Sequence, residues 1–170
     1  MSKIVDSYKF TGKSIGKFIQ TIIDRNPTEK NIPWARLHKK ISECKVSLVT
    51  TAGISMKSDK PFDMETERKR KNWGDPSFRK IVRDAAQKDL AVNHLHIDTS
   101  FIKRDINVAF PIETILSLKE NKTIGSVADN HYSIMGFQGD SSKTLKDQTS
   151  PEIAKAMLKD DVDLAILIPV

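Results

Sequence analysis

Three short, continuously apolar segments constrain the fold of this chain more than any other feature. They lie at 46–51, 123–128 and 162–168, and the second and third follow segments with helical periodicity at 111–122 and 149–159. Strands read as continuously apolar, rather than alternating, when helices cover both faces of a parallel sheet. The pattern therefore predicts an α/β fold, namely a Rossmann-like layered domain with a mostly parallel sheet.

The remaining segments are less regular. Apolar residues recur at helical spacing over 14–25, and a β-branched and apolar run predicts a strand at 90–97. The long polar stretch 55–79 reads as a functional or disordered loop, and we interpret its charge run Glu65–Lys71 as a solvated loop tip. A capping-box pattern predicts that the last helix begins at Thr149.

Composition and charge exclude several classes of protein. No run of about 18 apolar residues is present and the first residues lack the apolar core of a secretory signal, so we expect a cytoplasmic protein without a membrane span. The net charge is +6, but acidic residues are interleaved with the basic ones and only two Tyr and two Trp are present, so we expect no nucleic-acid partner. The single cysteine, Cys44, excludes an internal disulfide, and we interpret it as a buried apolar residue.

Two of the four histidines lie in one short segment. His94 and His96 are expected to project to the same side of the predicted strand, because side chains alternate along a strand. The pair is compatible with a metal site completed by Asp105 or His131, with a polar site wall of titratable imidazoles, or with rings satisfied by local backbone groups. Spacing alone is weak support for a metal, so we expect none here.

The loops that follow parallel strands form the ligand crevice of an open α/β sheet. The turn at 50–53 ends the first apolar run, and His131 and Tyr132 are predicted to follow the strand at 123–128 on the same edge. Gly53 permits a positive φ or a close approach of backbone to a ligand.

A series of sequence blocks resembles one known family in composition and order. The blocks are PWARL (33–37), SECKV (42–46), LVTTAG (48–53), KSDKPFD (57–63), GDPSFR (74–79), HLHID (94–98), RDINVAFP (104–111), IGSVA (124–128), HYSIMG (131–136) and PEIA (151–154). They are similar to the glycine/sarcosine/betaine reductase selenoprotein B family, which includes the selenoprotein of D-proline reductase. The resemblance covers 33–170 as an α/β domain and leaves 1–32 as an N-terminal helix and linker.

The resemblance implies an oxidoreductase subunit that cleaves the C–N bond of glycine, sarcosine, betaine or D-proline type substrates. It also implies a partner subunit bearing a pyruvoyl group and a thiol or selenol electron-transfer protein. In such relatives the nucleophilic selenocysteine, or a replacing cysteine, follows a strand like 164–170. This sequence contains neither residue there, so we expect the fold to be truncated after its last strand, selenocysteine to lie just beyond Val170, and the 170-residue chain alone to be inactive.

The resemblance also implies candidate site residues. His131 and His94 are the candidate catalytic residues, since an imidazole titrates near neutral pH and can protonate a departing amine. The candidate substrate-binding residues are Thr51, Gly53, His96, Asp98, Asp105, Asn107 and Tyr132. With the resemblance, we also expect N–H groups of the turn at 50–53 to bind a carboxylate. An alternative function is that of a non-catalytic paralogue that binds a small amine or a partner subunit.

Overall fold

A computed structural model describes residues 12–25 and 35–170 of the chain. The chain divides into two compact units, Met1–Arg36 and Leu37–Val170. The first contains helix α1 (Lys13–Arg25), which matches the helical periodicity predicted at 14–25. The linker predicted at 26–34 lies outside the described residues.

The second unit is built on a mixed, mostly parallel sheet, as predicted. The strands are β1 (Lys45–Thr50), β2 (Ile54–Met56), β3 (Phe78–Val82), β4 (Leu90–Val92), β5 (Ser126–Val127), β6 (Asn130–Ile134) and β7 (Leu164–Ile168). Strand β1 pairs in parallel with β7 on one side and with β5 and then β6 on the other, while β3 pairs antiparallel with β6. Strands β2 and β4 form a separate antiparallel pair.

Helices pack on both faces of this sheet. On one face, Ile112 and Ile115 join the larger core cluster with Val46 of β1. On the other face, Ile153 and Met157 pack around Tyr132. The helices of the second unit are α2 (Met64–Lys69), α3 (Ser100–Arg104), α4 (Ile112–Glu120), α5 (Ser142–Thr144) and α6 (Ser150–Lys159). No helix in the two described ranges is long and apolar enough to cross a bilayer.

The last apolar strand is less covered than its sequence predicts. Leu164 and Ile168 of β7 pack against the larger core cluster, but the Leu167 side of the strand is open and that residue is 71% exposed. The reason is that α6 lies over Val49 and Tyr132 rather than over β7. An apolar groove of about 550 Å³ therefore remains between α6 and β7.

The stretch at 55–79 is more ordered than a long loop. It contains the end of β2, helix α2 and the start of β3. Asp63 caps α2, since its carboxylate accepts the Thr66 N–H at 2.9 Å. Asp75 anchors both ends of the stretch, because its carboxylate accepts the N–H groups of Asp63 and Ser77 at 2.8 Å each. Local capping and a buried acid thus give regular structure to part of a stretch that the sequence predicts as a functional or disordered loop.

The last helix begins earlier than its capping-box pattern predicts. Thr149 has helical backbone angles and no capping bond, because α5 and a π-helical turn, Leu145–Thr149, lead into α6 without a break. The Thr149 hydroxyl donates instead to the Pro76 carbonyl at 2.7 Å. The residue therefore fastens the helix to the segment before β3 rather than starting it.

Candidate functional site

The carboxyl ends of the parallel strands meet at one edge. The Thr51 N–H donates to the Ile168 carbonyl at 3.1 Å, and the Val170 N–H donates to the Thr51 hydroxyl oxygen at 2.8 Å. Gly136, just after β6, lies close by, since a Cβ on it would stand 3.2 Å from the Thr51 carbonyl oxygen and 3.3 Å from that of Val170. Open parallel sheets bind their ligands at this edge.

The turn after β1 uses its N–H groups within the protein. Besides the Thr51 N–H, the Ala52 N–H donates to the Thr50 hydroxyl at 3.2 Å, and the Gly53 N–H donates to the Ile134 carbonyl at 3.0 Å. Two of these acceptors are carbonyls at the ends of β7 and β6, and the third is the Thr50 hydroxyl. The structure therefore leaves none of these three donors free for the carboxylate that we expect at this turn.

Gly53 itself is required by close packing. Its φ is +62°, and a Cβ there would stand 2.3 Å from the Asn93 carbonyl oxygen and 2.6 Å from Met135 Sδ. The Gly53 carbonyl accepts the main-chain N–H of Asn93 at 2.8 Å and its amide Nδ2 at 3.1 Å. The turn is thereby tied to the segment that leads into the two histidines at 94 and 96.

His94 and His96 lie together, but not on a strand. Strand β4 ends at Val92, and the backbone bends at 95–97, so the strand predicted at 90–97 is too long. The two rings are 6.1 Å apart between centroids and perpendicular. The His96 N–H donates to His94 Nδ1 at 3.1 Å, which leaves Nε2 of His94 as the protonated nitrogen. Burial, and then the neighbouring His96, lower the pKa of His94.

A buried carboxylate completes this group. His96 Nε2 is 2.7 Å from Glu67 Oε1, and the Glu67 side chain is only 2% exposed. Among the described residues, Glu67 Oε2 and His94 Nε2 are buried without a hydrogen-bond partner. The His96 ring also meets Phe137 edge-on at 5.3 Å, and Phe137 directly follows Gly136 at the sheet edge. The side chains of Glu67, His94 and His96 therefore lie next to the edge of the sheet where the carboxyl ends of the strands meet.

Glu67 is a residue that sequence reasoning misses. It lies inside the charge run Glu65–Lys71, which the sequence indicates as a solvated loop tip, and its neighbours Glu65 and Lys69 do form an exposed pair. Helix α2 places Glu67 on its buried side, against His96, whereas Glu65 and Lys69 lie on the exposed side of the same helix. No local signal in the sequence separates this acid from its exposed neighbours.

His131 and Tyr132 lie inside strand β6 and not in a loop after it, which corrects the predicted position of both. They are fully buried on opposite faces of the sheet. His131 Nδ1 accepts the Leu48 N–H at 3.1 Å, and burial lowers the His131 pKa to about 4. Tyr132 stacks at a tilt against Phe78 and packs against α6, and burial raises its pKa. Neither side chain faces the edge crevice that the sequence predicts for it.

Three other predicted site residues make local contacts. Asp98 accepts the Ser100 N–H at 2.9 Å before α3, and this bond lowers the Asp98 pKa. Asp105 accepts the Asn107 N–H at 2.9 Å, and the Asn107 amide oxygen accepts the Glu113 N–H at 3.1 Å at the start of α4. These side chains shape the entry to two helices, and the structure does not bring them into the group around His96.

The single cysteine lies where the sequence predicts it. Cys44 is fully buried, and its Sγ lies 3.2 Å from the Lys40 carbonyl oxygen.

The four histidines include two whose rings bond to main-chain N–H groups. Nδ1 of His94 and Nδ1 of His131 each accept such a bond, whereas Nε2 of both rings is buried without a hydrogen-bond partner among the described residues. Within residues 12–25 and 35–170, no group of three or more His, Cys, Asp or Glu side chains is arranged to hold a metal ion.

Comparisons with known proteins agree with the sequence blocks. A family model described as glycine/sarcosine/betaine reductase selenoprotein B matches residues 19–169. D-proline reductase subunit gamma from Acetoanaerobium sticklandii is 35% identical over 134 residues, which cover 79% of this chain and 52% of that protein. The chain therefore spans about half the length of the curated relative it matches. No solved structure matches the chain.

Proposed function

The chain belongs to the glycine/sarcosine/betaine reductase selenoprotein B family, and from this we propose that it acts in a selenocysteine-dependent reductase. The reaction is reductive cleavage of the C–N bond of a glycine, sarcosine, betaine or D-proline type substrate. The observation that carries this proposal is the family match over 19–169, which includes every strand end at the candidate site. The identity with D-proline reductase subunit gamma favours D-proline for the first assay.

We propose that the nucleophile, selenocysteine or a replacing cysteine, lies just beyond Val170. The support is the position of Val170, whose N–H bonds to the Thr51 hydroxyl and whose carbonyl lies beside Gly136. A residue that follows Val170 starts from the carboxyl edge of the sheet, next to the group around His96. Selenium chemistry at this edge requires a reduced selenol, which favours a cytoplasmic location.

The electron balance implies two partners, which are part of the proposal. Cleavage of one C–N bond consumes two electrons, supplied by a thiol or selenol electron-transfer protein, and the departing amine takes up a proton. A pyruvoyl group on a partner subunit supplies the activation of an amino substrate. The residues of this chain hold the strand ends together and present a half-exposed imidazole, that of His96, at the edge.

The test is isolation of the native protein with its associated subunits from the cells that encode it. We expect selenium in the polypeptide by elemental analysis, a peptide that extends beyond Val170 by mass spectrometry, and dithiol-dependent reduction of D-proline or one of the three glycine-type substrates. A selenium-free protein with no turnover of any of these substrates contradicts the proposal. Binding of a small amine without turnover supports the non-catalytic alternative instead.

A further inference from the structure

Glu67 is an isolated buried acid in an otherwise exposed charge run. Its side chain is 2% exposed, whereas those of Glu65 and Lys69 on the same helix are 77% and 71% exposed. Burial of a carboxylate is costly unless the group is paired and hydrogen-bonded. Within the described ranges, the His96 ring at 2.7 Å is the hydrogen-bond partner that the Glu67 carboxylate has. The contact is therefore one that the fold maintains at a cost in stability.

The pairing fixes the protonation pattern of the His96 ring. An ionised carboxylate only accepts hydrogen bonds, so Nε2 of His96 must carry the proton that lies toward Glu67 Oε1. In the neutral ring, Nδ1 is then the nitrogen with the free lone pair. No hydrogen bond to His96 Nδ1 is found in the described part of the chain, and the side chain is 53% exposed. The reactive nitrogen of His96 is thus Nδ1, on the accessible side.

The position of the His96 ring is also fixed by a main-chain hydrogen bond and by the contact of the ring with Phe137. The His96 N–H is held by His94 Nδ1 at 3.1 Å, and the ring edge packs on Phe137 at 5.3 Å. Helix α2, which carries Glu67, is fastened at its start by the Asp63 cap. An imidazole with one nitrogen on a buried carboxylate and the other accessible is a recurring arrangement for proton transfer, in which the carboxylate orients the ring.

We propose that Glu67 and His96 form a carboxylate–imidazole pair in which Glu67 is the positioning residue and Nδ1 of His96 is the proton-transfer atom. Its catalytic part rests on the proposed function and assigns the proton donor of that reaction. As the proposed selenolate or thiolate forms its bond to the substrate carbon, the C–N bond breaks and its electron pair goes to nitrogen. The proton on Nδ1 of the imidazolium passes to the departing amine. The ring is left with its proton on Nε2, the form that Glu67 holds, and water restores the proton on Nδ1.

The first test measures the His96 tautomer in the 170-residue chain by two-dimensional ¹H–¹⁵N NMR of the imidazole rings at a pH where the ring is neutral. We expect protonated Nε2 and unprotonated Nδ1 in the unaltered protein, and a mixture of tautomers in Glu67→Ala. The control Glu65→Ala removes an exposed acid of the same helix and should leave the spectrum unchanged. A ring protonated at Nδ1 in the unaltered protein overturns the pair, whether or not the Glu67 variant folds.

The second test measures kcat and KM in the reductase assembled with its partner subunits. His96→Gln retains a nitrogen near the Nε2 position for Glu67 and removes Nδ1, so we expect about a 100-fold loss in kcat with little change in KM. We expect about a 10-fold loss for Glu67→Ala and none for Glu65→Ala. A kcat within twofold of the unaltered enzyme in His96→Gln overturns the catalytic part. An inactive unaltered complex overturns the proposed function instead, and the NMR result still decides the pair.

Discussion

The imidazole of His131 fills a gap in the ladder of hydrogen bonds beside β1. Val46 pairs with Val127 of β5 and Val49 pairs with Tyr132 of β6, and the intervening Leu48 N–H donates to His131 Nδ1 at 3.1 Å. The ring thus replaces a main-chain acceptor where β5 gives way to β6. Such a ring must be unprotonated at Nδ1, and its burial explains why its pKa is lowered to about 4.

This burial makes the stability of the protein depend on pH. Between about pH 6.5 and pH 4, the unfolded chain binds a proton at His131 that the folded chain excludes. The contribution of His131 to the free energy of unfolding is therefore complete above the ordinary pKa of histidine and decreases as the pH falls through this window. The total decrease for this group is about 3 kcal/mol. Urea unfolding measured at several pH values checks the expected loss.

A matched pair of variants isolates the contribution of His131. Asparagine places an acceptor near the position of Nδ1 and does not titrate, so His131→Asn should lower stability at neutral pH and flatten the slope between pH 6.5 and pH 4. His38→Asn alters an exposed histidine and should keep the slope of the unaltered protein. An unchanged slope in His131→Asn contradicts the assignment.

Gly53→Ala tests the close packing of Gly53, in the turn after β1, against the main chain of Asn93. The substitution puts a Cβ 2.3 Å from the Asn93 carbonyl oxygen at a φ of +62°, so backbone must move and strain is added. We expect a loss of about 2–4 kcal/mol in the free energy of unfolding, measured by urea titration. Gly12→Ala is the control, because no heavy atom lies within 4 Å of a Cβ there. Equal stability of the two variants is the contrary result.

At the scale of elements, Arg79 of β3 binds several groups in the segment between β2 and β3. Arg79 Nε donates to the Lys60 carbonyl at 2.7 Å and Nη2 donates to the Pro61 carbonyl at 3.0 Å. Its guanidinium lies over the Phe62 ring at 4.2 Å and faces the Asp75 carboxylate at 3.9 Å. The block GDPSFR therefore fixes the chain that leads into α2, and with it the helix that carries the buried acid.

Arg79→Ala should destabilise this segment more than an ordinary surface change. The side chain is 13% exposed, and its removal takes away the charge that faces the buried Asp75 carboxylate and the donors to the Lys60 and Pro61 carbonyls, so we expect a loss of about 3 kcal/mol. Arg83→Ala breaks more exposed pairs with Asp84 and Asp129 and should change stability by at most about 1 kcal/mol. Thermal unfolding followed by circular dichroism compares the two, and losses of similar size count against this role of Arg79.

For the molecule as a whole, the core belongs to the second unit. Every buried residue of the two core clusters lies between Cys44 and Met157, within Leu37–Val170. We therefore expect a protein that begins at Leu37 to fold with the melting temperature of the full chain, within a few degrees. Circular dichroism and an amide NMR spectrum measure this. An unfolded or poorly dispersed protein from Leu37 onward shows instead that the preceding residues are required.

Sequence and structure agree where the signal is local. The apolar runs at 46–51 and 162–168 and the helical periodicity at 111–122 predict β1, β7 and α4 closely. The run at 123–128 predicts β5 but not β6, because Asp129 interrupts its apolar character and no local signal indicates that β6 continues on the same side of β1. The sequence therefore predicts a loop at His131 and Tyr132, whereas both residues are buried in β6.

The amino-acid sequence by itself determined the α/β class, the burial of Cys44 and the family. Apolar periodicity and ordered blocks of residues are formed by residues near one another along the chain, so they can be recognised without the tertiary structure. Only the tertiary structure decided which imidazole is accessible and which nitrogen it presents. His96 meets Glu67 across 29 residues, and His131 meets Leu48 across 83. Contacts over such separations depend on how turns and strand ends pack in three dimensions, and no periodic pattern in the sequence indicates that packing.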